Sequence, residues 1–339
     1  MKIETASLLS VLCLCGPVRA QESVASSSAT VVLSKSSATI PSASEQDHNG
    51  FAYEKPRPLD FIKKFPSDIG DFPKTAFRKE NTGVIAVVAL TTTILFLGDQ
   101  RIVDNAKQIG KQLGISRTNY QQTFATIKAP GAKKGLELEG PFDSGSALYF
   151  IGDGTIDLSL AAGFLGYGLI KSDNRSLQTS SQIVEALIAG GLALQVIKRS
   201  TGRGSPFTTQ AHGGTWHMFP NQFEFNRRVA SYDAFPSGHL YATMATLTVI
   251  ADNYPEYTYI RPVGYTLMTA LGFQMLNNGV HWASDYPLAL AMGYAFGHMA
   301  VEKGRKKKNA SLEFHPVVFN SGAGILATFR FASGKKKES

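Results

Sequence analysis

The sequence predicts an all-α fold, a helical bundle of about six helices between a disordered N-terminal leader and a short extended C-terminal tail. Three observations carry this. Six apolar segments, at roughly 84–98, 146–170, 181–198, 239–252, 258–276 and 285–301, are rich in Ala, Leu and Gly and long enough for helices rather than strands. No internal repeat of fixed period stands out, which sets solenoids and propellers aside. At 339 residues the chain can bury a sizeable core, and one domain of about 250 residues plus tails fits that length.

Taken in order, residues 1–20 read as a secretory signal. Lys2 supplies the positive start, Ala6 to Gly16 the apolar stretch, and Val18-Arg19-Ala20 the small-residue cleavage pattern before Gln21. Cys13 and Cys15 both lie inside it, preceded by Leu12 and Leu14 rather than by the small residue of a lipoprotein signal. A mature chain without cysteine has no disulfide, thiolate zinc site or cysteine nucleophile. Residues 21–50, rich in Ser, Ala and Thr, are expected to form a flexible leader. Residues 51–80 turn aromatic and basic, and Pro56, Pro58, Pro66 and Pro73 are expected to prevent long helices there. Residues 81–305 form the helical domain, and 306–339 a basic, extended tail. Within that tail, apolar runs flank Asn320-Ser321-Gly322 between Glu313 and Arg330, the pattern of a short hairpin or an extended segment.

The formal net charge is +8, much of it in Lys303 to Lys308 and Lys335 to Lys337. Such runs belong to solvated tails or to membrane flanks, and no basic-aromatic interleaving points to nucleic acid. Anionic lipid is the better partner. Segment 84–98 falls short of the ~20 apolar residues of a span, while 146–170 is long enough but contains Asp153 and Asp157. The basic groups before the first segment and after the last both read as inside, which conflicts with six spans behind a cleaved signal. Membrane association is the expectation; the number of spans and the oligomeric state are left open.

Two clusters carry chemistry. Pro236-Ser237-Gly238-His239 heads an apolar segment, and Gly279-Val280-His281-Trp282-Ala283-Ser284-Asp285 follows about forty residues later. At a helix start the amides of Ser237 and Gly238 point outward, the dipole favours an anion, and Gly238 lets the backbone come close. His239 then stands beside that anion. The bland alternative makes Ser237 an N-cap and His239 a polar helix-start residue. His281 and Asp285 are four apart, so the carboxylate can accept the Nδ1 proton and leave Nε2 free to attack. Here the alternative is a half-buried histidine with an acid complementing a helix dipole. Lys198 ends a segment before Arg199-Ser200-Thr201-Gly202-Arg203-Gly204-Ser205-Pro206, an ordinary place for lysine and also a place to hold phosphate. His212 and His217 lack carboxylates at metal-site spacing and read as solvated or loop-packing. Trp216, Phe219, Phe223 and Phe225 read as aromatics that pack their loop down, with a lipid-facing entrance as the alternative. His48 and His315 fall in tails.

In order and spacing, these pieces resemble the three-part signature of the type 2 phosphatidic-acid phosphatase and vanadium haloperoxidase superfamily. That signature is a lysine, six residues, then Arg-Pro; then Pro-Ser-Gly-His; then Ser-Arg, five residues, His, three residues and Asp. The resemblance implies that Lys198, Ser237 and Gly238 bind phosphate. It also implies that His239 is the general acid, His281 the nucleophile forming a phosphohistidine, and Asp285 its orienting partner. Two positions depart from the signature: Ser205 stands where the first motif has arginine, and Gln274-Met275 where the third has Ser-Arg. Guanidinium forks are not replaced by a hydroxyl or a thioether, so Arg203, in the same loop, is the first candidate to take over one clamp, ahead of Arg199, Asn277 and Asn278.

The implied function is hydrolysis of a phosphomonoester or pyrophosphate, lipid-linked or another small phosphoester. No metal and no cofactor are implied. The alternatives are a non-catalytic lipid- or anion-binding relative and a vanadate-dependent haloperoxidase; vanadate is otherwise an inhibitor. The expected location is outside the cytoplasm, periplasmic or membrane-associated, with the site facing the periplasm.

Overall fold

The helices meet where their sequences allow close approach. In the computed structural model, α7 (Gly238–Asn253) packs against α9 (Tyr286–Gly304) along Ala289, Gly293 and Gly297, one small residue per turn. A Cβ on Gly293 would lie 2.6 Å from the carbonyl oxygen of Tyr241, and one on Gly297 2.7 Å from that of Ala245. The two backbones therefore nearly touch, as small-residue stripes permit. This contact brings the starts of α7 and α9 to one end of the bundle, so two segments forty residues apart share a site.

The structure describes residues 45–48, 51–57, 59–128, 135–209, 211–307, 311–319 and 322–330, all within the unit Ser42–Ser339. The expected signal peptide and most of the expected leader lie outside these residues, as do Asn320 and Ser321. Around the α7–α9 pair stand α5 (Asn174–Thr201), α8 (Ile260–Asn277) and α4 (Gly154–Lys171). The core between them is built from Ile183, Leu194, Leu240, Leu271, Met292 and Phe296, among others. Segment 146–170 is two helices, α3 (Ser144–Phe150) and α4, bent by 54° at a break that Asp153 caps by accepting from Thr155 N. A short α6 (Gln222–Arg227) lies in the loop before α7.

Three expectations are corrected. Residues 60–76 form one helix, α1, despite Pro66 and Pro73. An interior proline costs about 3 kcal/mol, but Phe65, Ile69 and Phe72 pack against the core, Phe72 stacking on Phe296 at 4.6 Å. Each is partly buried and so contributes a fraction of the about 1.5–3 kcal/mol of a fully buried side chain, which opposes the cost of the lost bonds. Residues 45–48, assigned to the leader, form β1 (Glu45–His48), antiparallel to β2 (Phe51–Glu54), which also pairs with β5 (Lys306–Lys307). The apolar pattern also gave no sign of the hairpin β3 (Gln121–Ile127) and β4 (Leu136–Pro141). In the tail, β6 (Ser311–Phe319) and β7 (Gly322–Arg330) pair antiparallel, the hairpin of the two expected forms.

Segment 84–98 is only part of α2 (Thr82–Gln112), a 31-residue helix. Val84, Val87, Leu90, Ile94 and Leu97 are all exposed on it. Among the described residues, α2 with its preceding turn and α5 are long and apolar enough to cross a membrane, and the bent α3–α4 pair is a third candidate. Backbone continuity past the polar Asp99 supplies the length that counting apolar residues missed.

Candidate active site

The site lies where α5 ends and α7 and α9 begin. Ser237 is the N-cap of α7: its Oγ accepts from Leu240 N at 3.5 Å, and its own N–H donates to the Asp285 carbonyl at 3.1 Å. That backbone bond ties the two motifs together and corrects one expectation: the Ser237 amide, expected to point outward unsatisfied, is taken by the Asp285 carbonyl, because the two motifs meet here. The amides of Gly238 and His239, in the first turn, have no earlier carbonyl to bond, and they face the positive end of the helix dipole. Lys198, in the last turn of α5, is buried and reaches the same place: a Cβ on Gly238 would lie 3.9 Å from its Nζ. The ammonium is held by the carbonyl oxygen of Asp233 at 2.5 Å and by Asp233 Oδ2 at 3.0 Å.

The two imidazoles face each other across this cradle, with ring centroids 6.1 Å apart. Tyr149 covers the other side of His239 at 4.6 Å. His281 Nδ1 lies 2.7 Å from the Ala234 carbonyl oxygen and 3.4 Å from Asp285 Oδ2. This corrects the expected His–Asp bond: the orienting partner is first a backbone carbonyl, with Asp285 behind it. A carbonyl only accepts, so Nδ1 carries a proton and the ring is oriented through it. Local geometry explains the difference. Ala283–Asp285 is a 3-10 turn rather than the first turn of α9, and Asp285 Oδ2 accepts from Trp282 N at 2.7 Å. His239 is held neutral: burial first, then its electrostatic interactions with His281 and with the Lys198 ammonium, pull it from 6.5 to about 3, against Asp153.

Arg203 departs most from expectation. It is fully buried and points away from the cradle into a network of acids. NH1 donates to Asp285 Oδ1 at 2.5 Å and to Ser284 Oγ at 2.7 Å. NH2 donates to Asp99 Oδ2 at 2.6 Å and to the Gly213 carbonyl at 2.7 Å, and Nε donates to that carbonyl at 3.1 Å. All five guanidinium protons are used. Trp216, Trp282 and Phe96 surround the group, the Trp216 ring lying 4.8 Å from Cζ. Arg203 therefore braces Asp285 instead of clamping an anion. Of the two departures from the signature, Ser205 is buried with its N–H on the Ala230 carbonyl at 2.9 Å. Met275 is buried with Sδ 3.7 Å from Ser237 Oγ.

The structure thus brings together Lys198, Ser237, Gly238, His239, His281 and Asp285, and leaves Arg203 behind them. Sequence reasoning missed Asp99, Asp233, Tyr149 and the Ala234 carbonyl. Asp99 carried a signal, a lone acid within an apolar helix; the others carried none. Among the loop aromatics, Phe225 is buried, whereas Phe219 and Phe223 are exposed, so the packing expectation holds for only part of the loop. His217 packs on Tyr232 at 5.3 Å.

Bundle and site together define a helical protein in which a buried lysine and two imidazoles, one oriented through its Nδ1, meet at a helix start. Residues 181–308 match the family model of the PAP2 superfamily. The match supports assignment of the chain to the phosphatidic-acid phosphatase and haloperoxidase superfamily and, at the level of the family, phosphatase-type phosphoester hydrolysis. No curated protein and no solved structure matches the chain.

Proposed function

We propose that the chain hydrolyses a phosphomonoester or pyrophosphate on a lipid, through a phosphohistidine at His281. The observation that carries this is the His281 ring, whose Nδ1 is fixed on the Ala234 carbonyl 2.7 Å away and whose centroid lies 6.1 Å from that of His239, the two rings edge to face. Equatorial phosphate oxygens are received by the amides of Gly238 and His239 and by the Lys198 ammonium. His281 Nε2 attacks phosphorus, the P–N bond forms, and the bond to the leaving oxygen breaks. The charge that develops on the imidazole is stabilised by Asp285, which Arg203 and the Trp282 amide hold in place. His239 protonates the leaving oxygen, then takes a proton from the water that attacks the phosphohistidine, which releases phosphate and restores Nε2. The arriving dianion supplies the negative charge that lets His239, neutral in the empty site, bind its proton. The exposed apolar face of α2 supports a lipid as the substrate's carrier and a membrane as its setting. Export through residues 1–20, with the site facing the periplasm, belongs to the same proposal.

One observation favours a second reading, anion binding without turnover. Met275 Sδ occupies the place beside Ser237 where the resemblance implies a guanidinium, so fewer donors face the anion. A single experiment separates the two. Phosphate release is measured for the purified chain with dihexanoyl phosphatidate, a polyprenyl pyrophosphate and a soluble sugar phosphate, beside His281→Ala. Release that disappears in His281→Ala is the expected result. Phosphate binding by a folded chain that releases none from any substrate would establish the second reading instead.

A further inference from the structure

The two helices long and apolar enough to cross a membrane, α2 and α5, meet the same loop. On α5 the last exposed large apolar side chain is Val196, and the helix stops at Thr201. On α2 the run of exposed apolar side chains that starts at Val84 stops at Leu97, before the polar Asp99, Gln100 and Arg101. Residues 216–228 lie at both places. The Phe219 N–H donates to the Ser200 carbonyl at 2.8 Å and the His217 N–H to the Gly202 carbonyl at 3.1 Å, which folds the loop over the end of α5. Trp216 meets Phe96 of α2, with ring centroids 6.3 Å apart. A bilayer around these two helices has its polar boundary where their apolar faces end, at this loop.

The loop's surface suits that boundary. Met218, Phe219 and Phe223 are exposed, the two phenylalanines by 77 % and 81 %. Phe219 holds a left-handed conformation, φ 52°, which costs a residue with a side chain about 1–2 kcal/mol. Packing accounts for Phe225, which is buried with the Arg199 guanidinium 4.5 Å from its ring, but not for two rings turned outward. Arg227 and Arg228 are exposed as well and share one carboxylate, Glu224, at 3.3 and 3.8 Å, so the segment keeps a positive charge. Aromatic rings among arginines are the pattern of a membrane interface, rings at the edge of the acyl chains and guanidinium groups among headgroup phosphates. The same loop adjoins the cradle. Trp216 packs on Phe235 at 5.6 Å, two residues before Ser237, and Lys198 stands in the last turn of α5.

We propose that residues 216–228 form a seat on a lipid leaflet, with Phe219 and Phe223 inserted at the boundary of headgroups and acyl chains, which holds the cradle at headgroup depth. The seat rests on the membrane setting proposed for the chain and not on its chemistry.

The chain has two tryptophans, Trp216 on this loop, 38 % exposed, and the buried Trp282, so quenching from the lipid reports the position of the loop. The full chain is reconstituted in phosphatidylcholine vesicles whose acyl chains carry bromine near the ester end or near the methyl end. Tryptophan fluorescence is compared for wild type, Trp216→Phe, Phe219→Ser/Phe223→Ser and Phe223→Ser, and flotation with the vesicles scores membrane association separately. Wild type should float and be quenched more from the ester end than from the methyl end, and Trp216→Phe should abolish that difference. Phe219→Ser/Phe223→Ser should float and lose most of the quenching. Phe223→Ser alone should lose part of it, which keeps the test decisive if the double variant misfolds. A wild-type chain that floats while Trp216 is not quenched preferentially from the ester end would overturn the seat but keep the membrane setting, and would assign the exposed rings to a protein partner. Quenching unchanged in both serine variants would overturn it too. A chain that does not float would overturn the seat and the membrane setting together. Phosphate release has no part in this readout, so failure of the hydrolytic reading is seen separately.

Discussion

Replacing Arg203 by leucine separates the role its sequence position suggests from the role its contacts define. A phosphate clamp lost to leucine would weaken anion binding and leave stability nearly unchanged. A buried brace lost to leucine leaves Asp99 and Asp285 without their shared cation, both inside the fold with 0 % of the side chain exposed. Breaking one buried ion pair by removing a partner costs about 3–5 kcal/mol. Asp285 keeps the Trp282 amide and Asp99 keeps the Ser284 amide and hydroxyl, so the lower half of that range is expected. At about 2–4 °C per kcal/mol for a domain of this size, the melting temperature should fall by about 6–16 °C. Arg203→Lys should recover little, because one ammonium cannot reach Asp99, Asp285 and the Gly213 carbonyl together. The assay is thermal unfolding by circular dichroism in one detergent, paired with phosphate release on whatever fraction is folded. A melting temperature within about 2 °C of wild type, together with a tenfold loss of phosphate affinity, would refute the brace and restore the clamp.

Two further outcomes follow from the cradle. Gly238→Ala should fold as well as wild type or slightly better, because the new Cβ meets only Leu194 and Lys198 atoms at 3.9–4.0 Å and alanine favours helix. The methyl nevertheless occupies the approach to the Lys198 ammonium, so phosphate release should drop at least tenfold; unchanged release would place the anion elsewhere. His239, lowered to about 3 when folded against 6.5 in the unfolded chain, binds its proton more readily in the unfolded state between those values. Stability should therefore rise with pH from about 3 to about 6.5. His239→Gln should flatten that part of the profile of melting temperature against pH, and parallel profiles for the two proteins would contradict the assigned neutral state.

The bundle was legible in the sequence because apolar content and helix length are local properties. The site motifs were legible for the same reason: Pro236 to His239 are contiguous and His281 and Asp285 are four apart, so chain geometry alone nearly fixes their spacing. α1 was not legible, since Pro66 and Pro73 argue against it locally and only the contact with Phe296 outweighs them. Arg203 was misassigned because its partners are distant, Asp285 82 positions away and Asp99 104 positions away. Likewise His281 is oriented by the carbonyl of Ala234, 47 positions earlier, a group every residue has and none advertises.

By itself, then, the sequence determined which lysine, histidine and carboxylate side chains are candidates and that they stand near helix ends, because residue type and short spacing are written in the chain. Tertiary structure alone decided which cation stands at the start of α7 and which is consumed inside. That choice depends on where buried acids fall: Asp233 holds Lys198 at the cradle, while Asp99 and Asp285 draw Arg203 into the core, where an unpaired charge could not remain.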